Sequence, residues 1–383
     1  MPTSSGTLRR LRRKMLDGRP QIGKMRNGKW AAIVPNGYNA DGDGATDTDG
    51  DGDARLFIIY LDGSGFIELS TGIGNNNANS CLSVASDCNG LSEPELADLD
   101  GDFVVDRIYA GDLHGNMWVF DVSSTNAADW DNAGNITQLF AACRGGLSFT
   151  GLCNIADRQP ITTKPELIGH PTQRSFTTAP NVLVYFGTGQ YIAEGDNVDF
   201  DDQAFYAVWD TGSATTLTRS NLEPQSFVNS AGTIGLSRTS SVTYGTGPGS
   251  DYGWYIDLNN TVEISSGARV IINPLILGEL IFFSATVPDA GLICTPDNDN
   301  YLIALDALNG TESSFPIYDS DNDGEADTSS PVLDIGNSVG FGTTIGSDGD
   351  LDAVISNETG TFSRHIEVLT PIDAGRKSWS IIR

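Results

Sequence analysis

The chain has 383 residues, 44 of them glycine, and a formal net charge of −28 at pH 7. A chain of this length can bury a sizeable core, as one large domain or as two ordinary ones. The excess of negative charge repels phosphate, which argues against nucleic acid as a partner and against docking on anionic lipid. No stretch approaches the roughly 20 apolar residues that cross a bilayer, so no membrane span is predicted.

The basic residues are concentrated at the start of the chain. Nine of the 22 lysines and arginines lie between Arg9 and Lys29, beginning with "RRLRRK". A signal peptide would have an apolar segment after these charges, but "MLDGRPQIGKMRNGKW" follows instead. We therefore predict a poorly ordered basic segment over residues 1–19 and a folded domain over residues 20–383. A cytoplasmic protein and a piece of a longer exported protein both fit this beginning.

The first acidic loop is "NADGDGATD", residues 39–47. Calcium takes about six to eight oxygen ligands, and a loop with an oxygen-bearing side chain at every second position directs them to one point. Gly44 stands at the sixth place, where such a loop turns sharply. The predicted calcium ligands are the side chains of Asn39, Asp41, Asp43 and Asp47 and the carbonyl of Ala45.

The stretch from residue 56 to residue 90 contains a predicted strand and a long polar loop. "LFIIYLDGSG" (56–65) has strand length and ends in turn residues. The loop 70–90 contains Cys81 and Cys88, which bracket the segment "CLSVASDC". A disulfide between them would clip the loop and would require an oxidising compartment. The alternative is that the cysteines of the chain are reduced thiols.

The second acidic loop, "DLDGDFVVD" at residues 98–106, has aspartates at its first, third, fifth and ninth places. Four carboxylates this close repel one another, so a bound cation explains the spacing better than a solvated turn does. Mg²⁺ requires a tighter octahedral shell, so Ca²⁺ is favoured. The twelfth place is Tyr109, which means that the bidentate glutamate of an EF-hand is missing. The predicted ligands are the side chains of Asp98, Asp100, Asp102 and Asp106 and the carbonyl of Val104.

Four further apolar runs, each followed by turn residues, predict strands that are covered on both faces. They are "NMWVFDVSS" (116–124), "AFYAVWDTGS" (204–213), "GWYIDLNN" (253–260) and "YLIALDALNG" (301–310). Among them, Cys143 and Cys153 bracket "CRGGLSFTGLC" and predict a second disulfide, which leaves Cys294 unpaired. Residues 229–250 are predicted to form a long polar loop.

The C-terminal portion of the predicted domain, residues 311–365, is acidic and rich in serine and glycine, and a final strand is expected in residues 365–383. It contains the third loop, "DSDNDGEAD" at residues 319–327, again with a glycine at the sixth place. The three loops together predict one to three calcium ions. The predicted ligands in the third loop are the side chains of Asp319, Asp321, Asp323 and Asp327 and the carbonyl of Glu325.

The repeated strand runs predict an all-β fold. Apolar strands that end in aspartate and recur at irregular intervals fit a modified β-propeller with long polar loops. A β-sandwich, or a pair of sandwiches, is the alternative.

Four segments share one resemblance: "NGLSEPELADLDGDFVVDRIYAGDLHGNMWVFDVS" (89–123), "WAAIVPNGYN" (30–39), "VYFGTGQYIAEGDNVDFDDQAFYAVWD" (184–210) and "GRKSW" (375–379). They resemble the PilY/PilC family of type IV pilus tip-associated proteins. The resemblance implies a modified β-propeller, either closed or as an incomplete ring. It also implies that the 98–106 loop binds calcium and controls pilus extension and retraction.

The same resemblance implies partners and a location. Minor pilins at the pilus tip are the expected partners, together with a host or abiotic surface. Members of the family are usually longer and have a secretion signal. The resemblance therefore implies an exported cell-surface protein of which this chain is a C-terminal portion or a truncated product.

Three functions compete. The leading hypothesis is a non-enzymatic, calcium-binding propeller that acts in pilus assembly, adhesion or twitching motility. The second is an enzyme that uses pyrroloquinoline quinone, because "YLIALDALNG" resembles a quinoprotein repeat, although the adjacent cysteine pair of many such enzymes is missing. The third is an integrin-like or thrombospondin-like calcium scaffold for protein contacts.

Overall fold

The computed structural model describes residues 19–38, 52–74, 88–147, 152–171, 180–192, 195–230, 233–238, 240–259, 264, 266–288, 299–319, 325–326, 330–345, 351–357, 360–366 and 380–381. Its strands, in chain order, are β1 (Gln21–Lys24), β2 (Trp30–Pro35), β3 (Arg55–Tyr60), β4 (Phe66–Ser70), β5 (Glu95–Asp98), β6 (Arg107–Gly111), β7 (Asn116–Asp121), β8 (Ile136–Ala141), β9 (Glu166–Gly169), β10 (Val182–Gly187), β11 (Ala204–Asp210), β12 (Glu223–Ser230), β13 (Thr233–Arg238), β14 (Gly253–Asp257), β15 (Leu275–Leu277), β16 (Leu280–Val287), β17 (Asp299–Asp306), β18 (Val332–Gly336), β19 (Ser338–Ile345), β20 (Leu351–Asn357), β21 (Gly360–Ile366) and β22 (Ser380–Ile381). Single 3₁₀ turns lie at Ala127–Asp129, Ile155–Asp157, Asp196–Val198 and Arg219–Asn221.

The chain divides into two units. Unit 1 comprises Met1–Val184, Trp209–Thr218 and Lys377–Arg383, and unit 2 comprises Tyr185–Val208 and Arg219–Arg376. Residues 1–18 lie outside the described residues. The basic segment 1–19 and the assignment of residues 20–383 to one domain therefore stay predictions.

Two sheets of unit 1 contribute to one apolar core. Strands β1 to β4 form an antiparallel sheet in sequence order. Strands β5 to β8 form a second antiparallel sheet, which β22 extends by pairing parallel with β5. Alternate residues of a strand point to the same face, so each sheet presents an apolar face to the core. The shared core includes Ala31, Ile33, Leu56, Ile58, Leu96, Ile108, Ala110, Trp118 and Phe120.

One of the two predicted disulfides lies entirely in described residues. Cys143 and Cys153 are bonded, with their Cα atoms 5.6 Å apart, so this pairing is confirmed. Cys88 is also disulfide-bonded. Cys81 and Cys294 lie outside the described residues, so the Cys81–Cys88 pairing and the unpaired Cys294 stay predictions.

In the described part of unit 2, the strands form three sets. Four strands of the first follow the order β13-β12-β14-β11, in which β12 and β14 run parallel and the other neighbours antiparallel. The second is the antiparallel sheet β15-β16-β17-β18, and the third is β19-β20-β21. The second has its own apolar cluster, which includes Leu280, Phe282, Leu302, Ala304 and Tyr318.

The prediction of a single polar loop over residues 229–250 is wrong at its start. Residues Thr233–Arg238 form β13, which pairs antiparallel with β12 through Phe227 opposite Leu236 and Asn229 opposite Ile234. The two apolar residues of β13 stand among glycine, serine and threonine, so the composition of this segment is typical of a loop. Backbone pairing with β12, rather than local apolarity, therefore defines β13.

All five apolar runs predicted as strands form strands, namely β3, β7, β11, β14 and β17. β11 is buried at all seven positions and β7 at five of six, which confirms for them that both faces are covered. The final strand is also confirmed, as β22. No helix in the described part of the chain has the length and apolarity to cross a membrane.

The run that resembles a quinoprotein repeat ends in an internal anchor. The carbonyl of Ala307 accepts hydrogen bonds from the Tyr185 hydroxyl at 2.8 Å and from Trp254 Nε1 at 3.0 Å. Asp306 Oδ1 accepts the Asn309 N–H at 2.7 Å and closes the turn. The "DALNG" residues thus fasten the turn after β17 to aromatic side chains of the same unit.

A further pattern, "GNSVG" at residues 336–340, matches the G-x-S-x-G spacing of hydrolase nucleophiles. Its residues lie at the end of β18, in the next residue and at the start of β19. A nucleophile elbow requires a strand, a sharp turn and then a helix. The match therefore lacks the context of a catalytic serine.

Candidate metal centre

The loop of residues 98–106 connects β5 to β6 in unit 1. The two strands pair antiparallel, with Leu96 opposite Ile108 and Ala97 opposite Arg107. The Asp106 N–H donates to the Ala97 carbonyl at 2.9 Å and closes the mouth of the loop. This closure places Asp98 and Asp106, the first and last predicted ligands, at the two sides of the mouth.

Both of these carboxylates are buried. Asp98 is 1% exposed and Asp106 is 3% exposed. Asp98 accepts the N–H of Gly101 and the N–H of Phe103, each at 2.7 Å. Asp106 Oδ2 accepts the Leu99 N–H at 2.9 Å. Because a buried carboxylate is costly without hydrogen-bond partners, these bonds stabilise both side chains in the interior.

The middle of the loop is shaped by side-chain to backbone bonds at every second residue. Asp100 Oδ1 accepts the Asp102 N–H at 3.2 Å, and Asp102 Oδ1 accepts the Val104 N–H at 2.9 Å. Gly101 and Phe103 have positive φ angles of 80° and 65°. Phe103 stands at the sixth place of the loop and is 60% exposed. A left-handed conformation is unfavourable for a bulky residue, so the loop bonds must hold it there.

Three carboxylates converge on one point. Within the described residues, one group of carboxylates could hold a metal ion, and it consists of Asp98, Asp100 and Asp106. Each offers one carboxylate oxygen, and these three oxygens lie within 4.8 Å of one another. Calcium–oxygen distances are about 2.3–2.6 Å, so one ion can reach all three oxygens. A carboxylate oxygen that already accepts one N–H still has a lone pair for a cation. The residues therefore fit a calcium ion, with the Val104 carbonyl as the further predicted ligand.

Sequence reasoning missed the residue that contacts this group. Arg26 donates from Nη2 to Asp100 Oδ2 at 3.0 Å, from Nη2 to Asp106 Oδ1, and from Nη1 to Asp102 Oδ2. Asp102, the fourth predicted carboxylate, lies outside the group of three but also binds Arg26. Arg26 is 74 residues from Asp100, so no spacing rule connects them.

Arg26 and burial shift the pKa values of the loop aspartates in opposite directions. Burial raises the pKa of Asp106, and the Leu99 N–H and Arg26 lower it only in part. Limited burial also raises the pKa of Asp100, but the bonds from Arg26 and the Asp102 N–H outweigh it, so this pKa lies below its ordinary value. Burial lowers the pKa of Arg26, while Asp100, Asp106 and Asp102 raise it further above its ordinary value. The arginine thus stays charged and offsets part of the negative charge of the loop.

The other two predicted loops fall wholly or partly outside the described residues. All the predicted ligands of the first loop lie outside the described residues, namely Asn39, Asp41, Asp43, Ala45 and Asp47. Of the third loop, Asp319 is buried and Glu325 is exposed. Asp321, Asp323 and Asp327 lie outside the described residues, so both loops stay predictions.

Comparison with known proteins decides the family. The family model of the PilY1 beta-propeller domain matches residues 14–239, which is more than half of the chain. The chain belongs to the PilY1 β-propeller family. The predicted membership in the PilY/PilC family is therefore confirmed, and so is the all-β, modified β-propeller fold.

Two curated PilY1 proteins illustrate the relationship. A type IV pilus biogenesis factor PilY1 homolog of Xylella fastidiosa is 33% identical over 304 residues, covering 76% of this chain and 18% of the relative. The type IV pilus biogenesis factor PilY1 of Pseudomonas aeruginosa is 29% identical over 340 residues, covering 82% of this chain and 27% of the relative. The chain therefore spans about a fifth to a quarter of the length of these relatives.

A solved PilY1 structure supports the fold. The crystal structure of the Pseudomonas aeruginosa PilY1 C-terminal domain aligns with a TM-score of 0.65 at 24% identity. The alignment covers 91% of this chain and 71% of that chain. The similarity in architecture thus extends beyond the residues that the family model matches.

Proposed function

We propose that this chain is a calcium-binding, cell-surface β-propeller of the type IV pilus, acting in pilus biogenesis, adhesion or twitching motility. Its membership in the PilY1 family supports the pilus role. The convergence of the Asp98, Asp100 and Asp106 carboxylates at the mouth of the β5–β6 loop supports the calcium role. Bound calcium would offset two of the three negative charges and fix the loop.

Calcium occupancy acts as a switch between an ordered and a loosened loop. The loop takes its shape from bonds that end on Asp98 and Asp106, whose carboxylates lie close together. A divalent cation between them removes their repulsion and stabilises the loop conformation that these bonds define. The loop leads into β6, so the ordering of the loop by calcium acts directly on the sheet of unit 1 that contains β6.

The calcium proposal is tested by calorimetric titration of the wild type with calcium chloride, beside Asp98→Asn and Asp106→Ala. We expect the wild type to bind with a Kd of about 10⁻⁴–10⁻³ M, which is common in extracellular modules, and each variant to lose one site. At a hundredfold excess of calcium over Kd, the wild type should gain about 2.7 kcal/mol of stability.

The matched control is Asp131→Asn, because Asp131 is an exposed aspartate in the turn between β7 and β8. This variant should keep every calcium site of the wild type. Hydrogen exchange of the loop amides provides the second measurement. Equal protection of the Gly101 and Phe103 amides in calcium and in chelator would show that the loop is not a calcium switch.

The pilus proposal is tested with purified minor pilins encoded in the same genome. We expect the chain to bind one of them on a sensor surface, with an affinity at least about tenfold lower in chelator, a free-energy change of about 1.4 kcal/mol. The Asp106→Ala variant should behave in calcium as the wild type does in chelator. Binding that is equal in calcium and chelator would separate the pilus role from the metal.

A further inference from the structure

Arg26 has the position and the contacts of a cation at the candidate metal centre. One of its nitrogens, Nη2, bonds both Asp100 and Asp106, which are two of the three converging carboxylates. The other, Nη1, bonds Asp102. Its side chain is 22% exposed, whereas that of Asp106 is 5% exposed. The guanidinium therefore reaches from solvent into the mouth of the loop.

The backbone fixes this arginine beside the loop. Arg26 lies in the turn between β1 and β2, which the Met25 N–H closes by donating to the Lys29 carbonyl at 2.8 Å. The same hairpin is attached to the loop, because the Val105 N–H donates to the Lys24 carbonyl at 2.9 Å. Removal of the guanidinium from the carboxylates thus requires a change of side-chain rotamer and leaves the hairpin in place.

A guanidinium and a calcium ion cannot share these carboxylates without repulsion. An ion that binds Asp98, Asp100 and Asp106 would lie within a few ångströms of Nη2, since both would contact Asp100 and Asp106. The two cations carry like charges and compete for the same oxygens. Either the arginine moves out when calcium enters, or calcium binds more weakly.

We infer that Arg26 is a built-in competitor of calcium, which offsets part of the loop's negative charge when calcium is absent and is displaced when calcium binds. This inference rests on the proposed calcium function and adds its regulation. Arg26 stabilises the calcium-free protein, and in doing so it raises the calcium concentration at which the loop is occupied. The β1–β2 hairpin thereby becomes the element that sets the calcium threshold.

The hairpin also has contacts that keep its tip in place while the arginine moves. Asn27 Nδ2 donates to the Tyr60 hydroxyl at 2.8 Å, and Lys29 Nζ lies 3.0 Å from Asp62 Oδ2. Lys29 also lies over the Tyr60 ring, 4.8 Å from its centroid. Displacement is therefore confined to the Arg26 side chain, and the change in affinity reflects competition rather than refolding of the hairpin.

The test is calorimetric calcium titration of the full chain as wild type, Arg26→Gln and the control Arg19→Gln. Arg19 is exposed, and its replacement changes the net charge by the same amount. We expect Arg26→Gln to bind calcium about tenfold more tightly than the wild type, because a positive charge beside the ion is removed. Arg19→Gln should bind with the wild-type affinity.

The calcium-free stability gives an independent measurement. In chelator, Arg26→Gln should melt at a lower temperature than the wild type, and saturating calcium should remove most of this difference. Arg26→Lys keeps the charge but lacks the planar fork, so its calcium affinity should lie between those of the other two. It also provides the comparison if Arg26→Gln does not fold in chelator.

The outcomes separate the two proposals. Calcium binding by the wild type with equal or weaker binding by both Arg26 variants would overturn the competition and leave the calcium site intact. The absence of calcium binding to wild type and variants alike would overturn the calcium site, and the competition with it. A melting difference between Arg26→Gln and the wild type that is equal in chelator and in calcium would show that Arg26 is a structural partner of the loop and no competitor.

Discussion

Replacing Asp112 with alanine is expected to lower the free energy of unfolding by about 3–5 kcal/mol. The Asp112 side chain is fully buried in unit 1, directly after β6. Its carboxylate accepts hydrogen bonds from Asn89 Nδ2 at 2.8 Å, Asn116 Nδ2 at 2.9 Å and Trp118 Nε1 at 2.7 Å. The Asn116 N–H adds a further bond at 2.8 Å. Alanine would leave all these donors buried without their acceptor.

The Asp112 network also joins the two sheets of unit 1. Asn89 donates to the carbonyl of Ile73, after β4, at 3.1 Å, and its Oδ1 accepts the His114 N–H at 3.2 Å, between β6 and β7. Asp112 fixes the orientation of this asparagine. Its loss is therefore expected to loosen the connection between the sheets as well as the turn in which it lies.

Chemical denaturation measures this effect, with Asp112→Asn and Asp62→Ala as comparisons. Asparagine has the shape of aspartate but turns an NH₂ group toward the donors. Asp112→Asn should therefore lose nearly as much stability as Asp112→Ala. Asp62 is an exposed turn aspartate, and its replacement should cost much less. If Asp112→Ala and Asp62→Ala unfold at the same denaturant concentration, the buried network contributes little to stability.

The contrast between Asp112 and Asp106 separates a structural carboxylate from a candidate ligand. The two residues flank β6, Asp106 directly before it and Asp112 directly after it. Asp112 is surrounded by neutral donors that are near in sequence or belong to the same network. Asp106 accepts from the Leu99 N–H and from the Arg26 guanidinium, and it lies beside two other carboxylates. The convergence of its carboxylate with those of Asp98 and Asp100 is the feature that makes Asp106 a candidate metal ligand.

The sequence predicted those features that depend on local order along the chain. The apolar runs of β7, β11 and β17 are continuous within a few residues, and they form strands as expected. The D-x-D-x-D spacing of residues 98–106 is equally local, and Asp98, Asp100 and Asp106 do converge. Both patterns arise from the regular alternation of an extended or turning backbone.

Features that depend on contacts between distant residues were not predictable in this way. Arg26 is 80 residues from Asp106, and its basic neighbours suggested only a charged segment. Asp102 also binds Arg26, and its spacing within the loop gives no sign of this contact. β13 forms because β12 is available for pairing, whereas its own residues are typical of a loop. Tertiary structure decided each of these cases.

The second large effect is expected in unit 2, at Arg269, which is 1% exposed. Its guanidinium donates to four backbone carbonyls: Gly267 at 2.9 Å, Gln190 at 2.7 Å, Asp196 at 2.9 Å, and Asp199. These acceptors are neutral dipoles, so a buried positive charge fastens the segment after β10 to the segment before β15. Burial lowers the pKa of Arg269, and nearby acidic groups, led by Asp199, oppose this shift.

Two glycines allow the backbone to approach this arginine and its neighbour closely. Gly189 has a φ of 128°, and a Cβ at this position would lie 2.3 Å from the Cβ of Arg269. A Cβ on Gly187 would similarly lie 2.3 Å from that of Val270. The glycines of "FGTG" therefore permit the close approach of residues 269 and 270, and the arginine then binds the carbonyls that follow.

Arg269→Met is expected to lower the free energy of unfolding by about 3–5 kcal/mol, because methionine fills much of the same space but leaves the carbonyls without a donor. Arg269→Lys keeps the charge and cannot span all four acceptors, so an intermediate loss is expected. The control is Arg19→Met, which removes an exposed arginine and should change stability by less than about 0.5 kcal/mol. Chemical denaturation gives the energies, and hydrogen exchange at Ile192 and Val198 shows whether the segment opens locally.

The measurement decides between two effects of opposite sign. Burying a guanidinium has a large desolvation cost, and four hydrogen bonds to carbonyls offset it. Equal stability of Arg269→Met and the wild type would mean that the two effects cancel, and that the arginine determines the conformation of the segment rather than the stability of unit 2. A loss of several kcal/mol, with faster exchange at Ile192 and Val198, would show that the bonds outweigh the desolvation and that this segment depends on them.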